Sequence, residues 1–180
     1  MKITRILIAA LAFTAASAIA YAADDVVSAV HGTVDKVDAA GKTIVVKTSE
    51  GTKYTMHVSE NTAVHGTDAA AKDSWKGLTE GSEVVAHYTK HGAEMTAVEF
   101  DHVGKGGLQA TAGTIKEVDR GGKKVVVTTA DGADHTFELT SHAAKDAGSG
   151  LAQGTEKGSK VVVYSTESAG KKVAHFFEKM

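Results

Sequence analysis

Histidine is the residue type in this sequence with the clearest capacity for chemistry. Nine histidines occur in 180 residues. Imidazole binds copper, nickel and zinc, and it changes charge between neutral and mildly acidic pH. The histidines therefore predict either a transition-metal site or a surface whose charge responds to pH. Six of them fall in the first of two sequence repeats or at its edge: His31, His57, His65, His87, His91 and His102.

Residues 1–22 are typical of a bacterial export signal. Lys2 and Arg5 precede an apolar run from Ile6 to Ala20, and the small-x-small pattern read by signal peptidase ends at Ala22. The apolar run is too short to cross a bilayer comfortably, and no second one follows. We expect cleavage after Ala22 and a periplasmic or secreted product without a membrane span.

Composition and motifs argue against two classes of function. Without Lys2 and Arg5, 18 basic residues stand against 22 acidic ones, whereas a nucleic-acid partner requires a basic surface. The sequence has no cysteine, and it contains no Gly-x-Ser-x-Gly, His-Glu-x-x-His or phosphate-binding glycine loop. We expect no enzyme, no catalytic residues, no nucleic-acid partner and no cofactor other than a transition metal.

The mature part of the sequence contains an internal repeat. Residues 32–60 align with residues 113–141, and 11 of the 29 positions are identical, turn glycines among them. The similarity resumes where residues 80–88 match residues 157–165. Matched glycines at turns indicate duplication of one module. The predicted organisation is a first module at 23–103, a Gly-rich linker at 104–108 and a second module at 109–180.

Each module has the alternation of apolar and polar residues that is typical of β-strands. In the first module, Tyr54, Met56 and Val58 share one strand face, and His57 lies on the other. Turns that contain glycine separate the predicted strands.

The order of the predicted elements indicates the fold class. Short helices are predicted at Thr67–Trp75 and Ser141–Leu151, each between the third and fourth predicted strands of its module. Three strands, a short helix and two strands is the order of an OB-type small barrel. One sandwich made jointly by both copies is the alternative. We expect an all-β fold with short helices, made of two tandem OB-like five-stranded barrels.

Two aromatic groups have specific expected places. Trp75 is predicted at the end of the first helix, over the mouth of the barrel. Phe176 and Phe177 fall on opposite faces of a strand, so one ring is exposed unless it packs on the other module or on another chain.

A transition-metal site is expected in the first module. Copper is the first ion to test, because imidazole and thioether ligands favour soft or borderline metals. The repeat instead favours histidines that lie on the protein surface without binding a metal, because His57 aligns with Glu138 and His87 with Tyr164. Such an interchange is typical of a solvent-exposed strand face. The candidate metal ligands are His87, His91, His57, His65 and Met56.

The turn and core residues resemble a class of uncharacterised exported bacterial domains. The residues that carry the resemblance are Gly32-Thr-Val-x-x-Val-Asp, Gly41-Lys-x-Ile-x-Val and Leu78-Thr-Glu-Gly-Ser-x-Val. These domains are predicted five-stranded barrels, so the resemblance implies a fold and no binding residues.

A more distant likeness is to the periplasmic copper and silver chaperones, which are OB barrels. Those proteins use a histidine, a Met-x-Met pair and a tryptophan. Met56-His57, Trp75 and Met95 take comparable places here, but the sequence contains no Met-x-Met pair. Taken together, the sequence predicts a non-enzymatic binding or interaction protein, with an envelope protein as the expected kind of partner. Metal binding through the first module is the alternative.

Overall fold

The computed structural model describes residues 27–66, 75–119, 121, 123–139 and 156–180. The predicted export signal with its cleavage position, nearly all of the first predicted helix and all of the second lie outside these residues. Within them, the chain forms β-strands joined by turns, with one 3₁₀ turn at Trp75–Gly77. The strands are β1 (Ser28–Asp38), β2 (Thr43–Lys47), β3 (Lys53–His57), β4 (Ala63–His65), β5 (Glu83–His91), β6 (Glu94–His102), β7 (Gln109–Asp119), β8 (Lys124–Thr128), β9 (Asp134–Leu139), β10 (Lys160–Ser168) and β11 (Lys171–Lys179).

The first six strands form one barrel. β1 lies between β2 and β5, and it pairs with both in the antiparallel direction. β3 pairs with β2 and also contacts β6 in parallel, where His57 lies opposite Thr96, so the ring β1-β2-β3-β6-β5 is closed. The short strand β4 runs parallel to β6, further along it.

The last five strands form a second closed barrel, in the order β10-β11-β9-β8-β7. Its parallel contact between the third and last strands repeats that of the first barrel. The prediction of an all-β fold with two tandem small barrels is confirmed. The two rings have the strand order of OB-type barrels.

Each barrel encloses a hydrophobic core of its own. Ile44 and Met56 are fully buried in the first core, as Val125 and Phe137 are in the second. These residues alternate with more accessible ones along their strands, because successive side chains point to opposite faces. Trp75 is also buried, and it packs in the core cluster of the first barrel.

A β-bulge occurs at the same two places in both barrels. The extra residue is Asp35 between β1 and β2 and Lys116 between β7 and β8. It is Val98 between β5 and β6 and His175 between β10 and β11. Bulges bend a strand and redirect the side chain of the extra residue, so they help to curl each sheet into a barrel.

The outer faces of the two barrels pack against each other. The contact has a hydrophobic centre, with Val85 from β5 packed against Tyr164 from β10. The expectation that His87 and Tyr164 occupy a solvent-exposed strand face is wrong, because only 4% and 3% of their surfaces are accessible. The other residues of this inter-barrel cluster are Leu108, Ala29, Val103, Val162 and Phe176.

The two adjacent phenylalanines show the same packing. Phe177 packs against the core of the second barrel, and Phe176 packs in the inter-barrel cluster. The ring that would otherwise be exposed therefore packs on the other module. This is one of the two alternatives that the sequence analysis left for it.

Polar contacts surround the centre of this interface. The Tyr164 hydroxyl donates to Glu178 Oε2 at 2.9 Å and lies 3.0 Å from His31 Nδ1, across the interface. The other ring nitrogen of His31, Nε2, lies 2.8 Å from Glu83 Oε1. Burial and the neighbouring Glu178 raise the pKa of Tyr164, so its hydroxyl keeps its proton and remains a donor.

The segment between the barrels is a hydrogen-bonded turn. The Leu108 amide donates to the His102 carbonyl at 2.7 Å, and the Gly107 amide donates to the Gly104 carbonyl at 3.0 Å. Among the described residues, no helix is long and apolar enough to cross a membrane.

Two matched glycines allow the strands to approach closely where each barrel begins. A Cβ atom at Gly32 would lie 2.5 Å from the Lys47 carbonyl oxygen. A Cβ atom at Gly113 would lie 2.6 Å from the Thr128 carbonyl oxygen. Both distances are far shorter than a van der Waals contact, so any other residue would push β1 from β2 or β7 from β8.

We therefore predict that Gly113→Ala destabilises the second barrel, and that Gly32→Ala does the same to the first. Overpacking of this kind lowers the free energy of unfolding by about 1–3 kcal/mol. Urea unfolding of the mature protein measures the change. Gly121→Ala is the matched control, because among the described residues a Cβ atom there meets nothing nearer than Asp119 Oδ1 at 3.6 Å. Equal stability of all three variants would contradict the steric argument.

Candidate metal centre

Three neighbouring strands bring histidines and carboxylates together on the outer face of the first barrel. Glu99 and Asp101 alternate on β6 with Phe100, whose ring is fully buried in the core. On one side of β6, His65 of β4 lies opposite Asp101. On the other side, His87 of β5 lies opposite Glu99. We call these four polar residues the β6 cluster.

The distances in the β6 cluster are close to those around a bound ion. His65 Nε2 lies 3.0 Å from Glu99 Oε1, and His87 Nε2 lies 3.5 Å from Asp101 Oδ2. One ligand atom each from His65, Glu99 and Asp101 lies within 4.8 Å of the others. Ligand atoms about 2.0–2.2 Å from a tetrahedral ion are roughly 3.3 Å apart, which is close to the two histidine–carboxylate distances in the cluster.

Burial makes Asp101 the most informative member of the cluster. Only 3% of its surface is accessible, and its Oδ2 atom accepts no hydrogen bond from the residues that the structure describes. The separation from His87 Nε2 exceeds the length of a normal hydrogen bond. A buried carboxylate without full compensation is energetically unfavourable, and a cation would supply that compensation.

The second barrel places one further histidine near this cluster. His175, the bulge residue of β11, lies close enough to interact electrostatically with all four members of the β6 cluster. Burial, reinforced by His87 and His65, lowers its pKa from the usual 6.5, whereas Asp101 and Glu99 raise it. The net direction is downward, so His175 favours the neutral form that binds metals.

The structure places the predicted metal ligands in different environments. His65 and His87 both belong to the β6 cluster. His57 and His91 are exposed, at the end of β3 and the end of β5. The Met56 side chain is fully buried in the core of the first barrel. The predicted set is therefore not brought together at one point.

Sequence reasoning missed the two carboxylates and the histidine from the second module. Glu99 and Asp101 alternate around Phe100, which is a visible strand signal, but acidic residues on an outer strand face are common. His175 falls in the repeat at the position of Val98. Nothing in its local sequence indicates that it lies near the first module.

Comparisons with known proteins give no ligand for this chain. No protein-family model matches the sequence, and no curated protein matches it. One solved structure with a similar fold is described as the crystal structure of Ag(I)CusF. It is 12% identical with a TM-score of 0.32, and the match covers 42% of this chain and 96% of that one. At that identity and TM-score, the likeness carries no metal site over to this protein.

We predict that the metal-free protein becomes less stable as the pH falls below about 6.5. Burial lowers the pKa values of His102 and His175 from 6.5 in the folded state, so the unfolded chain takes up protons first. Their contribution is complete above 6.5 and is lost as the pH falls through that value towards the folded-state pKa. Urea unfolding at a series of pH values, with a chelator present, measures the effect.

The variant His102→Gln should reduce this pH dependence, because it removes one of the two titrating groups. His57→Gln, an exposed site on β3, is the matched control and should leave the dependence unchanged. An unaltered pH profile in His102→Gln would show that this half-buried histidine does not contribute.

Proposed function

We propose that this protein is a non-enzymatic metal-binding protein that holds a divalent transition-metal ion at the β6 cluster. The supporting observation is the convergence of His65, Glu99 and Asp101 within 4.8 Å, at a place where one carboxylate is almost fully buried. These three residues offer one imidazole and two carboxylates. A tetrahedral ion requires four ligands, and His87, 3.5 Å from Asp101, is a candidate for the fourth. A binding protein needs no further chemistry, so the proposal assigns no catalytic group.

The ligand set favours particular ions. The sequence has no cysteine, and Met56 is enclosed in the core, so the cluster offers nitrogen and oxygen but no sulfur. Such ligands suit Zn²⁺, Ni²⁺ and Cu²⁺, whereas monovalent copper prefers thiolate and thioether ligands. We therefore propose a borderline divalent ion, and Zn²⁺ and Cu²⁺ are the ions to test.

The cellular setting belongs to the same proposal. Export through the signal at residues 1–22 would deliver the mature chain to the periplasm or the exterior, and duplication of one module would account for the two barrels. An envelope partner remains a prediction. Among the described residues, the exposed large hydrophobic side chains are Val98 and Met180, which form no extended apolar surface.

The first test of the proposal is a metal titration of the mature, chelator-treated protein. Zn²⁺ should bind and raise the melting temperature, because an ion that binds only the folded state stabilises it by about 2.7 kcal/mol at one hundred times its Kd. His65→Ala and Glu99→Gln should each weaken binding at least about 10- to 100-fold. Isothermal titration calorimetry measures the affinities.

A double variant provides the matched control. His57→Ala with His91→Ala removes two exposed histidines outside the β6 cluster, and it should bind Zn²⁺ as the wild type does. If neither Zn²⁺ nor Cu²⁺ binds the wild type, the metal proposal fails. If binding depends on His57 and His91 instead, the proposed site is wrong.

A further inference from the structure

We propose that His175 of the second barrel is a ligand to the same ion, which is then held between the two barrels. This inference rests on the proposed function, and it identifies a residue that neither the cluster geometry nor the strand pairing of the first barrel includes. The consequence is a single metal site per chain that requires both modules.

The position of His175 in the fold supports this assignment. It is the extra residue of a bulge, between Ala174, which is paired with Ser165, and Phe176, which is paired with Tyr164. Ala174 is buried in the second core, and Phe176 packs in the inter-barrel cluster. A bulge redirects the side chain of its extra residue, and here the chain beside that residue faces the first barrel.

The same interface places Asp101 near this bulge. Val85, the residue opposite Asp101 on β5, packs in the inter-barrel cluster that also contains Phe176. The electrostatic interactions of His175 with Asp101, Glu99, His87 and His65 agree with that proximity. Strand register and interface packing thus place the bulge near Asp101, the buried carboxylate of the β6 cluster.

The hydrogen bond made by His175 leaves one ring nitrogen for a metal. Its Nε2 atom lies 3.0 Å from the Thr166 hydroxyl. When Nε2 carries the proton and donates to Thr166, Nδ1 keeps its lone pair. Histidines that bind metals usually use one nitrogen for the ion and the other for such an orienting hydrogen bond.

Among the residues that the structure describes, the second barrel offers no equivalent set of ligands on its matching strand pair. The strand register matches His87 with Tyr164 and Glu99 with Phe176, and neither replacement offers a strong metal ligand. Asp101 is matched by Glu178, which contacts His31 across the interface instead. The structure therefore predicts one ion per chain, although the chain contains two barrels.

Two measurements on the mature full-length protein test the inference. Zn²⁺ affinity, measured by competition with a chromophoric chelator, should fall about 10- to 100-fold in His175→Ala and His175→Gln. Pulsed electron paramagnetic resonance of the Cu²⁺ complex should detect one imidazole fewer in either variant than in the wild type. His175→Gln keeps much of the side-chain volume and can still bond to Thr166, so it separates ligand loss from loss of packing.

Val98→Ala is the matched control, because Val98 is the bulge residue at the equivalent position of the first barrel, and it should change neither quantity. Binding at one ion per chain, weakened by the His175 variants with one imidazole lost, would support the inference. If His65→Ala abolishes binding but both His175 variants keep the wild-type affinity and imidazole count, the inference is wrong and the proposed function stands. Absence of binding in the wild type would overturn both.

Discussion

The contact between the outer faces of the two barrels determines how strongly the charged and polar side chains near it interact. A histidine and a carboxylate on an open strand face would be hydrated, and their interaction would be weak. Here the second barrel removes water from His87 and Asp101, and charges interact more strongly in the less polar environment that results. The same burial makes an incompletely compensated carboxylate unfavourable. Burial at the interface therefore leaves Asp101 incompletely compensated, and the proposed cation would supply that compensation.

The barrels position these groups with little freedom. The β6 cluster lies on three adjacent strands whose pairing is fixed by backbone hydrogen bonds: His65 on β4, Glu99 and Asp101 on β6, and His87 on β5. Phe100 anchors the central strand because its side chain is fully buried on the opposite face. Sites on regular strands hold ligand geometry better than sites on loops. The backbone positions of the proposed ligands are thus fixed before an ion binds, and only their side chains would adjust to it.

The fold could be predicted from the sequence because its signals are local. Alternation at Met56 and His57 gives the buried and exposed faces of β3, and glycine turns give the hairpins. The candidate site could be predicted only in part, because it depends on contacts between distant residues. Alternation shows that His87 points away from its own core, but it cannot show that Tyr164 and its strand cover that face. β4 is also too short for a periodic pattern, so the alignment of His65 with Asp101 gave no signal.

The inter-barrel contact also has a consequence for symmetry. The strand pairs β5–β6 and β10–β11 occupy the same place in their barrels, so each barrel uses the same surface, as subunits do in a two-fold dimer. In a dimer of identical modules, both halves of that surface would have to carry the same residues. Joining the modules in one chain removes this requirement, so Glu99 stands on one side where Phe176 stands on the other. One half can then be polar and the other aromatic, and the covalent link permits an asymmetric interface that neither module could form with its own copy.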